Sequence, residues 1–389
     1  MNSVSTALTF LFLGGKMKTD RSKYRIRELL SYADISIDGN NPWDIRVNDD
    51  RFYARALADG ALGAGESYME KWWDCEELDE FITRILNANL QEKIRTNLKL
   101  ISTVLFVRIF NKQSRTASFI NGQKHYDLGN DLFTQMLDKR LVYSCGYWKN
   151  AASLDEAQEN KLDLTCRKLS LKPGMRVLDI GCGWGSFAKY AAENYSVNVT
   201  GITVSKEQAE YGRKICSGLP VDIRLMDYRD LNEKFDCIVS IGMFEHVGYK
   251  NYRTYMEVAD NCLKDNGMFL LHTIGSNDSG KFNDPWFTKY IFPGSMLPSI
   301  AQIGRAVEGL FVMEDLHNFG TDYDRTLMAW HKNFINNWDV IKDRYDETFF
   351  RMWKYYLLSC AGSFRARKNQ LWQIVLSKKG IPGGYTSIR

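Results

Sequence analysis

Val177-Leu178-Asp179-Ile180-Gly181-Cys182-Gly183-Trp184-Gly185 decides the fold. Residues 176–180 form an apolar run of buried-strand length; it meets three glycines at alternate positions, and a helical pattern follows over 186–194. Glycine lets the turn bend and lets backbone N–H groups approach a ligand at the helix N-terminus. Working outward, 197–203, 221–226, 237–241, 268–273 and 371–377 read as strands. Helices are predicted over 205–217 and 252–263. That alternation predicts an α/β fold with a mostly parallel, doubly wound, Rossmann-like sheet.

The glycine spacing is G-x-G-x-G, not the G-x-G-x-x-G that cradles a pyrophosphate. Asp179 stands just before the first glycine, a place to meet a cationic ligand group, although an aspartate there can also simply cap a turn. S-adenosylmethionine, which carries a sulfonium and an ammonium but no phosphate, suits that arrangement. The cofactor contacts expected are Asp179, Gly181, Gly183, Trp184 and Gly185, with Tyr143 and Ser144 upstream. The second strand ends in Gly201-Ile202-Thr203-Val204-Ser205, without the acid that usually grips a ribose, so Thr203 and Gln208 must substitute. Asp227 and Tyr228, after the third strand, are placed to meet an adenine, the alternative for Asp227 being a solvated turn residue.

Before this domain, residues from about 20 to 115 read as a helical unit, with helices over 51–58, 65–73, 77–90 and 93–110 and a short strand at 45–47. Between Gln91 and Arg115 six residues are basic and one, Glu92, is acidic. Such a helix suits an anionic lipid surface, or is a core helix with a solvated basic face. The resulting division is an N-terminal extension (1–16), a mainly helical domain (17–115), a polar linker (116–124) and a catalytic domain (125–389). Met17 is a second candidate start.

Composition limits the partners. A net charge of +4 gives no nucleic-acid signal. Eight cysteines without a C-x-x-C pair argue against structural zinc and for free thiols in a reducing cytoplasm. Five histidines show no metal-ligand spacing. The apolar stretch from Ala7 to Gly15 is too short to span a bilayer, so membrane contact is expected to be peripheral.

Further segments add specificity: His125-Tyr126-Asp127-Leu128-Gly129-Asn130-Asp131, Tyr143-Ser144-Cys145-Gly146-Tyr147-Trp148, Gly242-Met243-Phe244-Glu245-His246-Val247-Gly248, Leu271-His272-Thr273-Ile274-Gly275, Tyr290-Ile291-Phe292-Pro293-Gly294, Asp322-Tyr323 and Phe364-Arg365-Ala366-Arg367. From about Gln123 onward the sequence resembles the cyclopropane fatty acid synthase family, over some 260 residues in the expected order. The unit before the linker looks like the extra domain of the phospholipid-acting bacterial members.

The resemblance implies an S-adenosylmethionine-dependent enzyme that adds a methylene bridge across the double bond of an unsaturated phospholipid acyl chain, as a homodimer at the inner membrane face. Alkene electrons attack the sulfonium methyl, a base removes a proton from that carbon, and the ring closes. In the family the base is a bound bicarbonate ion, and its ligands map onto Cys145, Glu245, His272, Ile274 and Tyr323. An anion in a dry pocket can stabilise a cation and accept its proton. Glu245 must then be protonated, or accept the bicarbonate O–H. Each residue also has a plainer reading: His272 as a satisfied core histidine, Cys145 as a small buried hydrophobe, Tyr323 as an ordinary buried tyrosine. The aromatic insertion with Trp286, Tyr290, Phe292 and Met296 would wall an acyl channel, or pack a core. A rival acceptor is a small amine or another lipid, because plant alkaloid N-methyltransferases look similar.

Overall fold

The computed structural model describes residues 20–90, 129–280 and 284–389. The expected extension (1–16), the basic helix over 93–110, the linker (116–124) and residues 125–128 lie outside them. The chain forms two compact units that are not collinear with the sequence. Residues 284–293 and 338–366 group with the N-terminal part, whereas 129–283, 294–337 and 367–389 form the second unit. The expected division at 124–125 gives the N-terminal domain no share of the later chain. The difference arises because the later segments supply apolar faces that the short N-terminal elements need for a core.

In the first unit, β1 (Ile45–Val47) pairs antiparallel with β2 (Trp73–Cys75). The helix Arg51–Met69 is interrupted at Gly60, whose φ of 58° no ordinary helical residue adopts. It ends before Trp73, expected as its last turn, because Lys71 takes a positive φ of 64° and turns the chain into β2. The helix Leu78–Asn87 packs on Glu347–Arg365, where a Cβ on Gly362 would lie 2.5 Å from the Asp79 carbonyl oxygen. Trp286 lies over Gly65 and against Tyr355, with ring centroids 4.7 Å apart. It is buried, so here the insertion packs a core.

The second unit is built on β3 (Arg176–Ile180), β4 (Asn198–Thr203), β5 (Val221–Leu225), β6 (Phe235–Ile241), β7 (Leu263–Ser276), β8 (Val312–Asn318) and β9 (Asn369–Ser377). Their order is β5-β4-β3-β6-β7-β9-β8. The pairs from β5 to β7 are parallel, and β9 runs antiparallel to both β7 and β8. Alternate residues supply two cores. Leu178, Ile238, Phe269 and Leu271 face one side, and Val177, Val199, Val239 and Leu270 the other. The chain leaves β3 for β4 on one flank and later returns to place β6 on the other. A crevice therefore opens beyond the carboxyl ends of β3, β4 and β6, where such sheets bind ligands.

Candidate active site

The crevice holds a cavity of about 560 Å³. Tyr143, Ser144, Asp179, Gly181, Gly183, Trp184, Thr203, Gln208, Asp227 and Tyr228 all line it. Gly185 does not. It starts the helix Ser186–Tyr195 in a left-handed conformation (φ 85°) and so serves the turn. Gly181 also has a positive φ (80°), and a Cβ there would lie 2.6 Å from the Met243 side chain. A Cβ on Gly183 would instead point into open space.

Asp179 is 2% exposed and its Oδ2 has no hydrogen-bond partner among the described residues. Burial pushes its pKa up to about 7, with the Lys161 charge pulling the other way. An unpartnered buried carboxylate oxygen is a costly group to keep. A cationic ligand would offset that cost, so the site fits the ammonium-bearing cofactor expected. Thr203 Oγ1 and Gln208 Oε1 lie 2.9 Å apart, a polar pair at the end of β4. Asp227 is less available than its position suggests. The Arg229 guanidinium binds both its oxygens and holds its pKa down to about 2.

Lys161 escapes sequence reading. It is fully buried in the cavity wall, donates to Ser144 Oγ at 3.0 Å, and burial lowers its pKa to about 8. Gln158, Lys161, Thr165 and Lys168 are all 0% exposed. Their spacing makes one stripe along the helix Leu154–Lys168. A polar stripe normally marks the solvent face, and here it faces inward.

The residues expected to hold an anion do not line this cavity; Cys145, Glu245, His272 and Tyr323 are buried, and Ile274 is half-buried. Glu245, in the short turn after β6, accepts from the Ile274 backbone N–H at 2.7 Å through Oε1. Its Oε2 has no hydrogen-bond partner among the described residues, and burial pushes its pKa up to about 7. His272 lies two residues before Ile274 on the same face of β7. Its Nδ1 is 3.3 Å from Gln373 Nε2, and its buried Nε2 has no hydrogen-bond partner among the described residues. Cys145 is fully buried, its thiol pKa raised by burial, 4.0 Å from Thr326 Oγ1. Thr326 shares the helix Thr321–Asn336 with Tyr323. That helix grips the Cys145 segment through Gly146 N–H to Thr326 Oγ1 (3.0 Å) and Trp148 N–H to Asp322 Oδ2 (2.8 Å). The structure thus joins Glu245 with Ile274 and ties Cys145 to the helix of Tyr323. Among the described residues, no cluster of His, Cys, Asp or Glu is placed to hold a metal ion.

The strand order and the glycine turn at the carboxyl end of β3 define an S-adenosylmethionine-dependent methyltransferase fold. Residues 113–374 match the mycolic acid cyclopropane synthetase family, and the chain belongs to it. The chain is 54% identical to the cyclopropane-fatty-acyl-phospholipid synthase of Escherichia coli strain K12, over 94% of this chain and 96% of that one. Among solved structures, a cyclopropane synthase from Mycobacterium tuberculosis is 33% identical with a TM-score of 0.61, covering 67% of this chain and 98% of its own. A mycolic acid cyclopropane synthase complexed with SAH and CTAB is 33% identical with a TM-score of 0.62, at the same coverage.

Proposed function

We propose that this enzyme transfers a methylene group from S-adenosylmethionine to the cis double bond of an unsaturated acyl chain in a membrane phospholipid, with bound bicarbonate as the proton acceptor. The observation that carries the reading is the 54% identity to a cyclopropane-fatty-acyl-phospholipid synthase, which extends over 94% of the chain and so includes the N-terminal region. A small-amine acceptor would not account for that extent.

The chain's own residues support the chemistry. Bound S-adenosylmethionine supplies an electrophilic methyl carbon, and bicarbonate supplies a base. Asp179 would hold the cofactor's ammonium, and the turn at Gly181 and Gly183 would let backbone amides close on its methionine part. Thr203 and Gln208 would take the ribose, and Tyr228 the adenine. Glu245, with its pKa near 7, can stay protonated beside an anion and donate from Oε2. His272, kept neutral by burial, can donate from Nε2. Tyr323 and the backbone of Cys145 and Ile274 would complete the cage. The cage holds negative charge where the acyl chain becomes cationic, and keeps water out.

The same reading makes the protein a cytoplasmic homodimer attached peripherally to the membrane. Among the described residues no helix is long and apolar enough to cross one. The basic run from Lys93 to Arg115 would supply the attraction to anionic lipid. Deleting residues 1–115 is a poor test, because the segments 284–293 and 338–366 would lose their core partners. Changing Lys93, Arg95 and Lys99 to Glu should instead lower activity on anionic vesicles but not cofactor binding.

Lipid mass spectrometry decides the activity. Expression in a host that makes unsaturated phospholipids but no cyclopropanes should yield chains heavier by one methylene and no longer olefinic. Unchanged chains, with soluble enzyme and supplied cofactor, would refute it.

A further inference from the structure

His272 and Gln373 are direct partners across the antiparallel pair β7–β9, so their side chains share one face. Both are buried, at 1% and 0% exposure. Gln373 Nε2 lies 3.3 Å from His272 Nδ1 and 3.2 Å from Thr165 Oγ1. Either contact alone leaves the amide orientation and the histidine tautomer open. A third contact closes the question. Thr165 Oγ1 is 2.8 Å from the Lys161 carbonyl oxygen, which can only accept. The single hydroxyl proton of Thr165 is therefore spent there, and toward Gln373 its oxygen can only accept. Gln373 must present its NH₂ group, with one N–H to Thr165 and the other to His272 Nδ1. Nδ1 is then an acceptor, and the neutral ring carries its proton on Nε2.

We propose that Gln373, oriented by Thr165, is a positioning residue that fixes His272 as an Nε2–H donor toward a bound oxyanion. The proposal rests on the oxyanion reading above, and it accounts for a buried Nε2 without a hydrogen-bond partner among the described residues. In the opposite tautomer Nε2 would present a lone pair and repel an anion. Burial, and then the charges of Lys161 and Lys168, hold the His272 pKa well below its usual value, so the ring donates as a neutral imidazole. Gln373 Oε1 has no hydrogen-bond partner among the described residues, as expected when both N–H groups of the amide are engaged.

The test is ¹⁵N NMR of the full-length protein with labelled histidine, the His272 signals being assigned by their loss in His272→Gln. The wild-type protein should show an unprotonated Nδ1 and a protonated Nε2. Gln373→Glu places an acceptor against Nδ1 and should move the proton there. Thr165→Val should mix the tautomers, whereas Thr165→Ser should restore the wild-type pattern. In Gln373→Glu and Thr165→Val, but not in Thr165→Ser, the bicarbonate concentration for half-maximal activity should rise roughly tenfold or more, as the loss of one hydrogen bond to an anion implies. Cofactor affinity by calorimetry should not change. Thermal melts identify any variant that fails to fold, and Thr165→Val stands in if Gln373→Glu does. A protonated Nδ1 in the wild type, or a tautomer indifferent to both Gln373→Glu and Thr165→Val, would overturn the assignment. A tautomer that shifts in an enzyme indifferent to bicarbonate would uphold the positioning and overturn the oxyanion reading.

Discussion

Two buried carboxylates set the units apart. Glu66, in the first unit, is 4% exposed yet fully served. Its Oε1 accepts from Lys289 (2.6 Å) and Tyr290 (2.9 Å), and its Oε2 from Arg55 (2.5 Å). Burial pushes its pKa up, but those partners outweigh it and hold the group below its usual value. Asp179, in the second unit, is also buried, but its Oδ2 has no partner among the described residues, and burial pushes its pKa up to about 7. Glu245 repeats the Asp179 pattern. A saturated carboxylate serves the fold, while an unsaturated one is held for something that arrives later.

That contrast predicts opposite signs on mutation. Glu66→Ala should destabilise the protein by about 3 kcal/mol, the low end for a broken buried pair, because it removes one counter-charge from the buried Arg55, which keeps Glu70, and one from the half-buried Lys289. Urea unfolding followed by tryptophan fluorescence would measure it, with the first unit unfolding earlier than the second. A neutral result would mean that Glu66 is as dispensable as a surface charge. Asp179→Asn should instead stabilise the ligand-free protein by roughly 1–3 kcal/mol at pH 8. A carboxyl whose folded pKa is raised contributes stability below its unfolded value and loses it as pH rises through the folded one. At pH 8 that loss is complete, so the substitution removes the penalty. The same variant should show a smaller thermal shift with S-adenosylmethionine than the parent enzyme at pH 8. A melt lowered by Asp179→Asn would place Asp179 with Glu66.

Glu245 sharpens the comparison on the catalytic side. Glu245→Gln or His272→Ala should reduce turnover on the order of ten- to a hundredfold, since a hydrogen bond to a charged group contributes about 1.5–3 kcal/mol. Cofactor affinity should stay close to that of the parent enzyme. Tyr323→Phe should cost less, because only the hydroxyl goes. Turnover and calorimetric affinity measured on the same preparations separate these outcomes. Parallel losses in both would dissolve the distinction between cofactor cavity and anion cage.

The legible and illegible parts of the molecule divide along a related line. The run from Val177 to Gly185 carried the strand, turn and helix because glycine freedom and strand periodicity are local properties. The strand over 371–377 was legible too, but not that β9 would run antiparallel between β7 and β8. Residues 284–293 and the helix Glu347–Arg365 joined the first unit through contacts distant in sequence, which no window on the chain registers. The residues expected to meet the cofactor, Gly185 apart, line the cavity. Lys161, Thr165 and Gln373 were not foreseen, because a lone polar residue on a helix or strand carries no sign of facing inward. Asp227 shows the converse. Its position in the cavity wall was foreseen, but the neighbouring Arg229 engages its carboxylate.

The smallest expected effect is also the most diagnostic, and concerns pH. With a pKa near 7 in the ligand-free protein, Asp179 is about one-tenth ionised at pH 6. A cationic ligand needs the ionised form, so S-adenosylmethionine affinity should fall about tenfold between pH 8 and pH 6. Binding at pH 6 should release close to one proton, detectable as a dependence of calorimetric heat on the buffer's ionisation enthalpy. Other groups in the wall set the boundaries of that window. Arg229 stays charged, and the Asp227 pKa of about 2 keeps it ionised throughout. Burial lowers the His246 pKa, which keeps that ring neutral through most of the window. Lys161, lowered to about 8 by burial, loses its charge above the window, which removes repulsion of a cation and pushes the affinity in the same direction. Asp179→Asn should flatten the profile between pH 6 and 7, and Lys161→Met should flatten it near pH 8. A profile unchanged by Asp179→Asn would show that the carboxylate is ionised before the cofactor arrives, as Glu66 is, and that the unpartnered oxygen is not what the cofactor meets.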